Sequence, residues 1–345
     1  AVGYLAGALV TTGVSNTLIG GLAGDALTSG DSNVALGYNA LSADTLGDRA
    51  VAIGLNALAS QNFTSSTDNY NVGVGYQAGY AVTTGTRNTL IGGLAGDATT
   101  TGVNNTALGY AALTANTTGA SNTASGYSAL GSNTTGSDNV AVGRDTLLTN
   151  ITGVKNVAVG NFSLRYNTGD NNTAVGHQAL DINTTASNNA AYGYRALYLN
   201  TTGARNVAVG ALALDANTTG GSIVALGYGA LSENTTADDN TAVGYVALLS
   251  NTTGTFNTAV GARSLDANTT GSGNTAVGED SLSANTTAND NTAFGQNALK
   301  ANTTGVLNVA IGASALDANT TGGNNVALGW GTLSENTTAS DNTAV

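Results

Sequence analysis

The chain has no Pro, no Cys and no Met, with 1 His, 1 Trp and 4 Phe in 345 residues, and only 9% of it is charged. Without Cys there is neither a disulfide framework nor a thiolate metal or redox site, and a single His excludes a His-rich metal cluster. A charged share of about 25% is usual for globular proteins, and large core-filling side chains are scarce here, so the composition is not that of an ordinary enzyme. The balance of 9 Lys and Arg against 21 Asp and Glu gives a net charge of -12. That opposes binding to phosphate backbones, where affinity comes from clustered cations, so no nucleic-acid partner is expected. No apolar run approaches the roughly 18 residues of a membrane span, and no membrane insertion is expected in this stretch. The opening residues Ala1 to Tyr4 lack an initiator Met, a charged n-region and an apolar h-region, as in a mature or excised piece of a longer product.

What is abundant is Gly, with 48 residues, and it is periodic. A short apolar run closing on Gly recurs at Gly3, Gly20, Gly37 and Gly54, from Gly75 to Gly160, and from Gly176 to Gly329, with successive differences of 17. The two exceptions are steps of 21 between Gly54 and Gly75 and of 16 between Gly160 and Gly176. Both fall in the polar turn, where solenoids accept length changes. Aligned on this Gly the consensus is N-T/V-A-V/L/I-G-Y-x-A-L-x-x-N-T-T-G-x-x. The repeat fills residues 1–345 as a single continuous domain, cut through a repeat at both ends. Blocks are also copied: Asn16 to Ala26 recurs as Asn88 to Ala98, and Ala186, Ala237, Ala288 and Ala339 replace the turn Gly at intervals of 51.

β-Branched residues and Gly dominate every window and no 3.6-residue apolar stripe survives, which excludes helix. Two strands per repeat, N-T-A-V-G and Y-x-A-L, with a polar turn after them, predict an all-β fold, a parallel β-solenoid or β-roll of about twenty 17-residue coils. Coils about 4.8 Å apart would extend about 95 Å. The aliphatic before each Gly (Val142, Val209, Val260) is expected to form one core ladder. A second is expected from the Leu four after it: Leu113, Leu130, Leu147, Leu164, Leu180, Leu197, Leu214, Leu231, Leu248, Leu265, Leu282, Leu299, Leu316 and Leu333. The Ala two before the Gly (Ala107, Ala141, Ala208) would then lie on the outer surface as a flat strip that admits a neighbouring backbone. Two large apolar side chains per coil contribute about 1.5–3 kcal/mol each, against an ordering cost of roughly 1–2 kcal/mol per residue. A lone rod is marginal on those figures, and packing of identical chains around an axis, a homotrimer, is expected to supply the rest.

Runs such as Asn206 to Gly210, Asn257 to Gly261 and Asn308 to Gly312 resemble the head repeats of trimeric autotransporter adhesins and similar repeats of bacteriophage fibres. The resemblance covers the whole chain. It implies an intertwined trimeric left-handed β-roll that projects from a cell surface or virion, extends end to end as a filament, and contacts a cell-surface or glycan receptor. The chain departs from that pattern in its longer coil, its repeated N-T-T-G turn and the lack of a stalk coiled coil, membrane anchor or signal in the covered stretch.

The N-T-T turns start at Asn116, Asn133, Asn183, Asn200, Asn217, Asn234, Asn251, Asn268, Asn285, Asn302, Asn319 and Asn336, with N-I-T at Asn150. All are formal N-glycosylation acceptors. The competing reading is a ladder of stacked turn amides, and glycans on adjacent coils would collide unless they fanned outward. Regular Thr also fits an ice-binding solenoid, which needs a Thr-x-Thr strand on a flat exposed face. Tyr follows the Gly in several coils (Tyr38, Tyr76, Tyr110, Tyr127, Tyr194, Tyr228, Tyr245), while Arg144, His177, Glu279 and Gln296 take the same slot elsewhere. A slot that accepts charge is exposed, and its aromatic row could stack on sugars or on itself. Asp215, Glu233, Asp266, Asp317 and Glu335 do not recur in consecutive coils and lack the register of a calcium-binding roll. His177 has no catalytic setting. No catalytic residue, metal ligand or cofactor is expected, and the sequence reads as a non-enzymatic, extracellular fibre protein.

Overall fold

The computed structural model describes residues 1–345. It is an all-β parallel solenoid of about 19 coils, about 17 residues apart. It divides into two compact units, Ala1–Asn171 and Asn172–Val345, built from the same coil.

Each coil contributes one short strand, the three residues before the repeat Gly. In the first unit Thr106–Leu108 pairs in parallel with Thr123–Ser125, Ala107 opposite Ala124. In the second, Thr241–Val243 pairs with Thr258–Val260, Ala242 opposite Ala259. Because pairing is between equivalent residues, each side chain becomes a rung of a ladder repeating at the strand spacing of about 4.8 Å. The 21-residue step leaves this register intact, with Val51 opposite Val72. Its extra residues stay in the turn region, where Gly47–Asp48 and Thr67–Asp68 form a pair of their own.

The strand ends at Gly because nothing else fits. Gly109 has φ +137°, a region closed to other residues, and a Cβ there would stand 2.6 Å from the carbonyl oxygen of Gly126 in the next coil.

Two expectations are corrected here. The Y-x-A-L segment is not a strand. In the coil of Gly109, Ala111 and Leu113 have φ of 54° and 53°, left-handed values incompatible with extended backbone, and the chain reverses within these four residues. The core is also turned over relative to the sequence reading. The Ala two before the Gly is fully buried (Ala107, Ala141, Ala208), whereas the aliphatic directly before it points out, with Leu108 50% and Val142 38% exposed. Alternation along a strand allows either face to be inside; the width of the coil decides which. At Gly73, which replaces this Ala, a Cβ would lie 2.9 Å from Leu58 Cγ. The strand thus lies so close to the Leu of the preceding coil that at Gly73 even a methyl group would force Leu58 to shift, which leaves no room for a large inward side chain beside an inward Leu.

The Leu four after the Gly fills that interior. Leu113, Leu130, Leu147 and Leu164 in the first unit, and Leu180 through Leu316 at the same repeat position in the second, are completely buried, while Leu333 is partly exposed. In the two copied blocks the arrangement is exchanged: Leu18 and Leu90 stand in the strand where Ala is usual, and Gly24 and Gly96 take the place of the inward Leu. The exchange keeps the volume roughly constant.

Candidate interaction surfaces

The turn asparagines lie inside the solenoid. In the first unit Asn133 Nδ2 donates to Asn116 Oδ1 at 2.9 Å and to Gly136 O at 2.9 Å, and Asn150 repeats both bonds. In the second unit the pattern continues through Asn200, Asn217, Asn234, Asn251, Asn268, Asn285, Asn302 and Asn319. Asn183 donates to the turn carbonyl of Ala186. Asn336 closes the run in a partly exposed coil. From Asn116 to Asn319 these residues have no solvent exposure, which puts them out of reach of a glycosylating enzyme in the folded chain. From Asn133 to Asn150 and Asn200 to Asn319 each carboxamide nitrogen has both hydrogens committed. Buried amides pay for desolvation only when their donors and acceptors are met, and the ladder meets them coil by coil.

A second amide ladder runs beside the first and was not singled out from the sequence. The Asn four before the Gly accepts the next coil's backbone N–H: Asn122 N donates to Asn105 Oδ1 at 3.0 Å, and Asn291 N to Asn274 Oδ1 at 3.1 Å. Its Nδ2 reaches the turn carbonyl that closes its own repeat, Asn122 to Gly136 at 2.8 Å, so both ladders converge on one carbonyl oxygen. The signal was present as a recurring Asn in the consensus.

Three surfaces cover this interior. The outer sheet face carries the residues three and one before the Gly. In no coil is either charged; Val209 is 39% and Phe294 55% exposed. The second surface carries the first, second and fifth residues after the Gly. Here Tyr110 stacks on Tyr127 with ring centroids 5.7 Å apart, Tyr228 on Tyr245 at 5.8 Å, and exposed His177 on Tyr194 at 6.0 Å. Charges gather on the same surface. Arg263 pairs with Glu279 and Asp280, and Lys300 with Asp280. The hydrogen bond from Arg263, seconded by Lys300, holds the Asp280 carboxyl below its usual range. Burial pushes Asp215 up despite Arg195 nearby, and burial likewise raises Asp266. The third surface is the turn. The first Thr of each pair is engaged, as in Thr117 Oγ1 to Thr134 O at 3.1 Å and Thr252 Oγ1 to Thr269 O at 3.0 Å. The second Thr, as at Thr118, is exposed.

No group of three or more His, Asp and Glu side chains is placed to hold a metal ion, and no helix is long and apolar enough to cross a membrane. Glu233 stands among Ser and turn residues, while Asp317 and Glu335 line one open cavity with Trp330. What these coils offer chemically is surface: one uncharged β face, one aromatic and ionic edge, one hydroxyl-lined turn. The sequence matches no known family model, and no curated protein is significantly similar to it.

Proposed function

We propose that this chain is a non-enzymatic structural element of an extracellular fibre, on a cell surface or a virion, that associates with two further copies of itself and adheres through its exposed edge. The observation that carries the reading is the outer sheet face. A chain of net charge -12 keeps this face free of charge in every coil and leaves its aliphatic row half exposed. The row and its β-branched neighbours offer on the order of 1,000 Å² in each unit, above the roughly 800 Å² per partner of a standard interface and the largest patch of a typical monomer. Burying it between copies supplies the apolar contact that the narrow interior lacks. The resemblance to adhesin head repeats and phage fibres agrees with a trimer and with an adhesive role.

Sedimentation analysis tests it. The protein is expected to sediment as a trimer, and Leu108→Lys with Val209→Lys to dissociate it while circular dichroism is retained. A folded, thermostable monomer overturns the reading. One observation favours an ice-binding solenoid as the second reading: Thr241, Thr258, Thr275 and Thr292 stand in consecutive strands, each two residues from an outward Val or Phe. The engaged N-T-T hydroxyls do not contribute to such a face. Thermal hysteresis in a dilute solution would mark that function, and a receptor-binding tip on the natural assembly would mark a phage fibre.

A further inference from the structure

The aromatic row after the Gly has gaps. In the first unit Gly21 stands between Tyr4 and Tyr38, and Gly93 between Tyr76 and Tyr110, at one-coil steps. A Cβ on Gly21 would have the Tyr38 ring 3.3 Å away, and one on Gly93 the Tyr110 ring 3.4 Å away. Each gap is thus roofed by a ring and has no side chain of its own. The tyrosines at its borders are half exposed or more. Rungs two coils apart are about 9.6 Å apart along the stack, and with the middle rung bare there is room for one flat group with a face on either side.

The same unit shows what fits there. At the equivalent position, Arg144 fills its rung and lays its guanidinium between aromatic rings, 5.8 Å from the Tyr127 centroid and 5.7 Å from that of Phe162. Asp145 pairs with it at 3.1 Å. The gapped coils carry a carboxylate too. Gly21 and Gly93 are each followed four residues later by Asp25 and Asp97, and so are Ala211, Ala262 and Ala313, the other small residues in this slot, by Asp215, Asp266 and Asp317. Next to the Ala313 rung, Asp317 lines one cavity with the following coil's Trp330 and Glu335. Neither Asp25 nor Asp97 is ion-paired; Asp97 accepts only a Thr114 hydroxyl. Asp215 and Asp266, by contrast, already have Arg195 and Arg263 as charged neighbours, and at Ala211, Ala262 and Ala313 a methyl group stands where only Gly21 and Gly93 leave the rung bare.

We propose that the gaps at Gly21 and Gly93 are slots for a guanidinium group carried by a basic ligand, which takes the rung that Arg144 fills within the chain. The two ring faces attract the cation through their quadrupoles, the aspartate supplies the countercharge, and the acidic chain draws cations toward it. Gly is required because any side chain would occupy the slot.

The test is ligand-observed NMR on the full chain with N-acetyl-arginine methylamide, with the neutral isostere N-acetyl-citrulline methylamide and methyl glucoside as comparisons. Ring currents are expected to move the δ-methylene protons of the arginine probe upfield in a saturable way. Citrulline and glucoside should bind at least five-fold more weakly. Gly21→Arg with Gly93→Arg fills both slots from within and should remove the shift, as should Tyr38→Leu with Tyr110→Leu; the second pair decides if the first does not fold. No saturable shift in the wild type, equal binding of citrulline, stronger binding of glucoside, or a wild-type shift in both variant pairs overturns the proposal. Each slot is complete within one chain, so a monomer that keeps the arginine shift overturns the fibre reading alone.

Discussion

Replacing one rung of the inner amide ladder should cost an amount that depends on what its neighbours can do without it. Asn234 Nδ2 donates to Asn217 Oδ1 at 3.0 Å and to the carbonyl of Ala237 at 3.2 Å, and its Oδ1 accepts from Asn251 Nδ2 at 3.0 Å. In most coils the turn carbonyl has a second donor from the other ladder, as Gly254 O has Asn240 at 2.7 Å. At Ala237 that donor is absent, because Ile223 occupies the position of the second-ladder Asn. Asn234→Ala therefore strands two buried acceptors, Asn217 Oδ1 and Ala237 O, and leaves Asn251 with one bond of two. At about 1–3 kcal/mol per stranded acceptor, the loss is about 2–6 kcal/mol. Asn251→Ala strands only Asn234 Oδ1, because Asn240 still serves Gly254 O, and should cost about 1–3 kcal/mol. Urea unfolding followed by far-ultraviolet circular dichroism, with hydrogen exchange in the flanking coils to catch local opening, measures both. Equal costs, or a cost below about 0.5 kcal/mol at Asn234, the usual range of a surface substitution, would refute the assignment of these amides to a satisfied interior ladder.

Asp44 replaces Asn in this ladder and survives because donors surround it: Gly47 N at 3.0 Å, Gln61 Nε2 at 2.6 Å and Phe63 N at 3.2 Å. Burial raises its pKa more than these bonds lower it. A raised carboxyl contributes most stability below its unfolded pKa and loses it as pH rises through the folded value, so Asp44→Asn should gain progressively on the wild type as pH rises above the ordinary carboxylate range in pH-dependent melting. Gly109→Ala should cost several kcal/mol, from a forbidden φ and contact with the next coil's backbone, whereas Gly331→Ala, at φ +61° but with nothing within 4 Å of its Cβ position, should cost only the strain of a left-handed Ala, about 1–2 kcal/mol. In natively sourced protein the peptides that contain Asn200 and Asn217 should have their unmodified sequence masses; sugar mapped to either would mean that these amides face outward.

The period, the parallel stacking and the inward Leu were legible because each is a recurrence, and recurrence at 17 residues translates directly into stacking. Which face of the strand is inside was not. Ala and Val alternate in T-A-V, both are apolar, and a hydrophobicity argument puts the larger one in the core. The opposite holds because the interior is one Leu wide. That constraint was written in the sequence as covariation, with Leu18 accompanied by Gly24 and Leu90 by Gly96, and not as composition. The left-handed backbone at Leu113 and its equivalents left no trace, since Leu is a poor choice for such φ values and is held there by stacking on every side. The gaps in the aromatic row were visible only as missing Tyr until the structure showed Arg144 filling the same rung.

The Leu exchange leads to a prediction about coupling. Leu90 Cδ1 approaches the Cβ position of Gly79, in the preceding coil, to 2.8 Å, and its Cδ2 that of Gly96, in its own coil, to 2.7 Å; Leu18 bears the same relation to Gly7 and Gly24. A strand Leu thus requires Gly at two inward positions at once. Those glycines have φ of 56–63°, close to the values Leu adopts elsewhere, so the exchange also removes side-chain strain from a left-handed residue. In the second unit Ala259 occupies the strand position, with Leu248 and Leu265 as the corresponding inward residues. Ala259→Leu alone should overpack the coil and cost at least about 1–3 kcal/mol. Leu265→Gly alone should cost about 2–5 kcal/mol, chiefly through the cavity it opens. Combined, the Leu side chain enters that cavity, and the double variant should be more stable than the sum of the two losses by about 1–3 kcal/mol, with Leu248→Gly extending the coupling. Denaturant unfolding of the full cycle measures it. Strict additivity would show that the strand residue and the inward Leu do not share one space, and the one-Leu-wide interior would have to be abandoned.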